Sequence, residues 1–204
     1  MNKRNLPVLI LKDIILFPKN EIKIEFSNDL SMDIINSSEM FHSNNVLIVN
    51  AKNIIEETIN INDLPKIGVV GKFKNKIVLP DGKMRVTIHG LNRAIIKEYL
   101  HHSSEILEAI ITDIEEESDE KRIPFIIEEI KEYFKTVTYT SNDTLEKIKQ
   151  EKSLINIINI VVPTLKITIA RKKEYLYETN IKNAYTLLLE DVHNEMLQNK
   201  LEKK

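Results

Sequence analysis

The sequence predicts an α+β chain, with a strand-rich first half interrupted by one helix and a wholly helical second half. Three features carry that prediction. Ile22, Ile24 and Phe26 alternate with Lys23 and Glu25, the two-residue period of a half-buried strand. Asp81-Gly82 lies between Ile77-Val78-Leu79 and the alternating Met84, Val86 and Ile88, which is the signal of a hairpin. Beyond the acidic run from Glu115 to Glu120 the apolar spacing lengthens to that of a helix. The division is therefore placed after residue 117, with a β-rich part over 1–117 and a helical bundle over 118–204.

Within the first part, Leu6 to Leu11 and Ile14 to Phe17 are short apolar runs of strand length. Pro18-Lys19-Asn20 supplies the turn that follows, because proline presets φ and removes a ladder donor. Asn28 or Asp29 caps a helix reaching about Phe41, whose buried stripe is Leu30, Ile34 and Phe41. Val46 to Val49 reads as a buried strand, and Asn53 to Pro65, rich in acidic and asparagine residues, as a loop. Strands resume at Ile67, and Gly82 provides the positive φ of the hairpin turn. Ala94 to Tyr99 and Ile106 to Ile114 are two more strands joined by a polar stretch around His101 to Ser104, for a total of about seven strands.

In the second part, Phe125, Ile126, Ile130, Tyr133, Phe134 and Val137 make one helical face. Leu145, Ile148, Leu154, Ile155 and Ile158 make another, stopped by Pro163, which has no N–H to donate. A short helix near Ile167 to Tyr177 follows. Thr179 or Asn180 then caps a last helix with the stripe Ile181, Tyr185, Leu188 and Val192, and past Met196 it thins to a charged tail with little to bury.

Composition excludes several classes. The 204 residues are 42% hydrophobic and 29% charged, which suits a folded globular chain and neither a disordered nor a membrane-embedded one. A net charge of −2 from 29 basic and 31 acidic residues supplies no field to attract a polyanion, so nucleic acid is not an expected partner. Without cysteine there are no disulfides and no thiolate sites, and a reducing, cytoplasmic setting is expected. Lys3 and Arg4 precede an apolar run that breaks at Lys12-Asp13, too short for a signal peptide, and no stretch approaches the roughly 20 apolar residues that span a bilayer.

No catalytic, cofactor-binding or metal-binding residue is assigned. His101 and His102 are adjacent and on a strand would face opposite ways, so the five histidines form no ligand set. Gly68, Gly71, Gly82 and Gly90 are the only glycines and cannot furnish the spacing of a phosphate-cradling Walker A loop. Composition alone leaves a Ser-Lys dyad open, yet no serine sits in a glycine-rich loop that would shape an oxyanion hole. The run from Glu115 to Glu120 reads as a solvated linker. Arg85, Arg93 and Lys97 would form one basic strip across the sheet, or simply carry surface charge.

Leu6-Pro7-Val8-Leu9, Lys12-Asp13 and Phe17-Pro18 resemble the opening of the Lon-type protease amino-terminal domain, where an L-P-V-L-P-L-R-D segment leads to F-P. Val69-Val70-Gly71, Leu79-Pro80-Asp81-Gly82 and Gly90-Leu91-Asn92-Arg93-Ala94 resemble that family's G-x-V-A, L-P-D-G and G-x-x-R-A elements, in the same order. Leu154 to Ile160, Thr164-Leu165, Arg171-Lys172 and Leu176 to Leu189 are similar to its helical half. Ile10 and Lys12 replace the usual proline and arginine, and Ala170-Arg171-Lys172 stands where E-K-Q is common.

The resemblance implies a PUA-like pseudo-β-barrel with one inserted helix, followed by an α-helical bundle ending in a long helix that leads toward an AAA+ motor and a Ser-Lys peptidase. It implies a non-catalytic module with no cofactor of its own, ATP and Mg belonging to the parent protein. Unfolded or damaged proteins are the implied substrates, and a hexamer the implied assembly of the full-length protein. Met32, Ile35 and Met40, off the expected helical stripe, are the candidate substrate contacts, because flexible, polarizable methionine suits a surface that accepts many sequences. The rival readings are an RNA-binding PUA-like protein, which needs a basic, aromatic-lined face, and a free-standing Lon-domain adaptor.

Overall fold

The computed structural model describes residues 3–27, 29–51, 60–101, 106–137 and 142–202. The chain forms two compact units, Met1–Ile114 and Glu115–Lys204. The first contains β1 (Arg4–Leu11), β2 (Glu21–Phe26), α1 (Asp29–Phe41), β3 (Asn45–Asn50), β4 (Ile67–Val78), β5 (Met84–His101) and β6 (Leu107–Asp113). The second is helical: α2 (Ile123–Thr136), α3 (Asn142–Gln150), α4 (Leu154–Val161), α5 (Ile169–Tyr177) and α6 (Ile181–Glu202).

The strands lie in the order β2-β5-β4-β3-β1-β6, and a further pairing of β5 with β6 closes β5, β4, β3, β1 and β6 into a ring. Closure removes sheet edges from those strands. One strand performs it. The amino-terminal part of β5 pairs with β2 and β4, while its carboxyl-terminal part, from Ala94 to His101, pairs with β6. Register shifts at Phe73/Lys76, Val70/Gly71 and Ile96/Glu98 bend the strands into this path. β1 and β3 are parallel, so the chain must cross between them, and β2 and α1 form that crossover.

The barrel is filled by Leu6, Val8, Leu47, Val49, Val70, Ala94, Ile96, Ala109 and Ile111, so every ring strand contributes. Outside it, α1 packs on β1 and β3, which is why β1 reads as an almost continuous apolar run. Seven strands were expected and six are found among the described residues. The run from Ile14 to Phe17 is no strand, although Leu16 and Phe17 are fully buried, and the two strands expected around Ile88 and Ala94 are halves of β5. The loop read over 53–65 and the polar joint near His101 to Ser104 fall mostly outside the described residues, as does Asn28.

In the helical unit, α4 is apolar nearly all round and buried from Leu154 to Val161 apart from Asn156, which suits a central position. The single helix expected from Leu145 to Ile158 is two, α3 and α4. From Ile148 the next apolar residue is Leu154, a gap that breaks the helical period, and Pro163 falls in the 3-10 turn after α4. Thr168 caps α5 by accepting from the Arg171 N–H, and the Asn180 side chain accepts from the N–H groups of Lys182 and Asn183 at the start of α6.

The stripe of α6 departs from the expected one. Ala184 is buried and Tyr185 only half so, its ring under the Arg122 guanidinium at 4.9 Å. Beyond Val192 the stripe continues with polar residues, Glu195 and Asn199, rather than fading. Burial is possible because each is satisfied. Glu195 accepts from the Tyr133 hydroxyl at 2.7 Å and from the Lys166 N–H, and Asn199 donates to Thr136 Oγ1 at 3.3 Å. Asp191 accepts from the Tyr175 hydroxyl at 2.6 Å and takes both Arg171 Nε and Nη2, at 2.9 and 3.1 Å. None of the described helices is long and apolar enough to cross a membrane.

Candidate functional site

The most exposed large apolar groups of the β-rich unit lie at the end of α1 and beside the β4-β5 hairpin. The helix stops at Phe41 because the next turn needs left-handed backbone, with Ser43 and Asn44 at φ 53° and 66°. The last turn therefore projects, and Met40 and Phe41 are each 76% exposed. Glu39 in the same turn is ion-paired to Lys76 of β4, whose neighbours Ile77 and Val78 are also exposed. Four large apolar side chains thus cluster along the chain at two sites joined by one ion pair.

The three contacts read from the sequence separate here. Met40 is exposed, Met32 is half-buried, and Ile35 is 1% exposed. Ile35 is thus a core residue in this fold and offers nothing to a partner without unpacking α1. Of the expected stripe only Ile34 is buried, joined by Ile35 and by Ser38, whose Oγ donates to the Asn45 carbonyl at 2.7 Å, while Leu30 and Phe41 are exposed. Phe41, Ile77 and Val78 escaped the sequence reading. The signal for them was positional, since residues at a helix terminus and beside a hairpin turn have fewer neighbours to cover them.

A second feature is a shallow groove on the outer sheet face, lined by Lys23 and Glu25 of β2, Arg85 and Thr87 of β5, and Asn75 and Ile77 of β4. Ion pairs cross the strands in it and beside it. Arg85 Nε donates to Glu25 at 2.8 Å, and Lys74 Nζ donates to Glu21 at 2.7 Å. That hydrogen bond holds the Glu21 carboxyl below its ordinary value, with His89 acting in the same direction. The basic strip of Arg85, Arg93 and Lys97 is absent as such: Arg85 is bonded to Glu25 and Arg93 is only 2% exposed. Among the described residues no three histidines, aspartates or glutamates gather as a metal site would require.

The sequence elements that carry the resemblance meet in space within this unit. Gly90 O accepts from Lys19 N at 2.9 Å and Gly90 N donates to Asn20 O at 2.8 Å, docking the Phe17-Pro18 turn on β5. At the hairpin, Gly82 has φ 83° and Lys83 donates its N–H to the Asp81 side chain. The two landmarks are parts of one barrel.

Comparison with known proteins agrees with that architecture. A solved amino-terminal domain of Lon protease from the Mycobacterium avium complex superposes with a TM-score of 0.73 at 17% identity, covering 95% of this chain and 98% of that one. A Lon N-terminal domain protein from Xanthomonas campestris gives 0.65 at 12% identity, covering 91% and 97%. Among curated sequences, Lon protease of Brevibacillus choshinensis is 25% identical over 99% of this chain, and Lon protease 1 of Bacillus subtilis (strain 168) is 22% identical over the same share. The chain spans 26% of the length of each. The family model of the ATP-dependent protease La (LON) substrate-binding domain matches residues 5–194, and the chain belongs to that family.

Proposed function

We propose that this chain recognises exposed apolar segments of unfolded or damaged proteins and presents them to the AAA+ motor and Ser-Lys peptidase of a Lon-type protease. The carrying observation is the projecting end of α1, where Met40 and Phe41 are the most exposed large apolar side chains among the described residues. Methionine and phenylalanine at a free helix end adapt to many sequences without a fixed register. In this reading the β-rich unit provides recognition, and the helical unit, with its long α6, organises assembly. The parent protein is a cytoplasmic hexamer that uses ATP and Mg. Linking several such modules raises effective concentration, so each contact need only be weak.

The test is a titration of the isotope-labelled chain with a carboxymethylated, permanently unfolded protein, followed by amide chemical shifts. The expected shifts centre on Met40 and Phe41. Shifts confined to the helical unit would move recognition away from α1.

A further inference from the structure

Among the described residues β2 is the one strand outside the ring, and nothing there pairs with its outer side. Its hydrogen-bonding phase follows from the turn before it. Gly90 N donates to Asn20 O while Gly90 O takes the Lys19 N–H, a bulged start that places Asn20 opposite Gly90 in the bonded phase of the ladder. The register continues unbroken from Glu21↔His89 to Phe26↔Met84. Bonded and non-bonded pairs alternate in an antiparallel ladder, so Ile22, Ile24 and Phe26 bond to β5. Glu21, Lys23 and Glu25 then turn their N–H and C=O groups outward.

The side chains of this edge give it a character. Ile22 and Ile24 are half-buried on the face that carries buried Phe26, while Lys23 and Glu25 line the groove on the other face. Glu21 and Glu25 are drawn inward across the sheet by Lys74 and Arg85, away from the edge. Lys23, exposed between them, has no ion partner among the described residues. A second copy of β2 centred on Lys23 would set Lys23 against Lys23 and Glu21 against Glu25, so that register is disfavoured.

We propose that the free edge of β2 binds an extended polypeptide segment as an added strand, with apolar residues beside Ile22 and Ile24 and a carboxylate against Lys23. Main-chain bonds to Glu21, Lys23 and Glu25 supply recognition that is tolerant of sequence, and the groove face supplies the preference for an acidic or neutral residue at the middle position. Such a mode suits an unfolded chain, whose backbone is unpaired. The inference rests on the recognition role proposed above and adds a second contact to it, in the same unit as Met40 and Phe41.

The probe is the blocked peptide Val-Thr-Val-Glu-Val-Thr-Val, titrated into the 204-residue chain with amide hydrogen exchange as readout. Protection is expected at the amides of Glu21, Lys23 and Glu25. The same peptide N-methylated at alternate amides keeps its side chains and loses its ladder bonds, so it should bind roughly tenfold more weakly. Lys23→Glu, a surface change, should weaken the glutamate peptide and favour its lysine counterpart. Equal binding of the N-methylated peptide, protection only elsewhere, or no binding overturns the edge assignment. The two readings fail separately. A chain that ignores the peptide but still binds carboxymethylated protein through Met40 and Phe41 loses only the edge, whereas one that binds neither loses the recognition role as well.

Discussion

Gly90 lies so close to the carbonyl of Phe17 that a Cβ at residue 90 would sit 2.2 Å from that oxygen and 3.1 Å from Pro18 Cα. The atoms it would strike are backbone, held by the Lys19 and Asn20 bonds to Gly90 itself, so no side-chain rotation relieves the clash. Gly90→Ala should therefore destabilise the β-rich unit by about 3 kcal/mol, read as a lowered denaturant midpoint. Gly82→Ala is the contrasting change. Nothing lies within 4 Å of its Cβ, and only the left-handed φ of 83° opposes it, for a cost of about 1 kcal/mol. Equal costs at the two positions would show that the turn is not docked as described.

The same contact explains what the sequence did and did not disclose. Strand periods at Ile22 to Phe26, the Asp81-Gly82 turn and the helical spacing after residue 120 are local, and each is legible because it is set by residues next to one another. Leu16 and Phe17 are as apolar as a strand, but they are buried by a docked turn, and the partner glycine lies far along the chain. Phe41 was misread for a related reason: helical phase locates a stripe but not where the barrel surface ends beneath it. Asp191, Glu195 and Asn199 look like surface residues in sequence, since their partners Arg171, Tyr133 and Thr136 come from other helices.

Asp191 is the anchor between α5 and α6, its carboxylate accepting from two nitrogens of Arg171 and from the Tyr175 hydroxyl. Asp191→Ala leaves a part-buried guanidinium and a buried hydroxyl without that acceptor, at a cost of about 3 kcal/mol. Tyr175→Phe removes only one neutral donor and should cost about 1 kcal/mol. Urea unfolding followed by helical circular dichroism separates the two. A loss no greater for Asp191→Ala than for Tyr175→Phe would mean that Arg171 is adequately held by Glu174 and Glu190.

Alkaline pH should unfold the helical unit through its tyrosines. Burial, then the hydrogen bonds given to Glu195 and Asp191, raise the Tyr133 and Tyr175 hydroxyls above their ordinary value of 10.0. A raised native value means the unfolded chain gives up its protons first. The stabilisation is fully present below pH 10.0 and is lost as pH climbs from there through the native values. Tyrosinate absorbance should then rise together with the loss of helical signal. Ionisation of these tyrosines at their ordinary value, with the helices intact, would contradict the burial of both hydroxyls.

Met40 and Ile35 stand five residues apart on α1 and should respond in opposite ways to substitution. Met40→Ser and Phe41→Ser alter side chains that are 76% exposed, so stability should change by less than about 0.5 kcal/mol. Affinity for a carboxymethylated unfolded protein should fall severalfold for each, and further for the pair, since each removes apolar area available to a partner. Ile35→Ala instead opens a cavity beneath the helix and should cost about 3 kcal/mol. While that variant remains folded, its affinity should match the parent, because Met40 and Phe41, the proposed contacts, lie more than a turn away and outside the core. Fluorescence anisotropy of the labelled unfolded protein, measured beside a urea titration of each variant, distinguishes the two effects. If Ile35→Ala lowered affinity at conditions where the unit is fully folded, while Met40→Ser and Phe41→Ser did not, the binding surface would have to include a face of α1 that becomes available only when the helix lifts from β1 and β3.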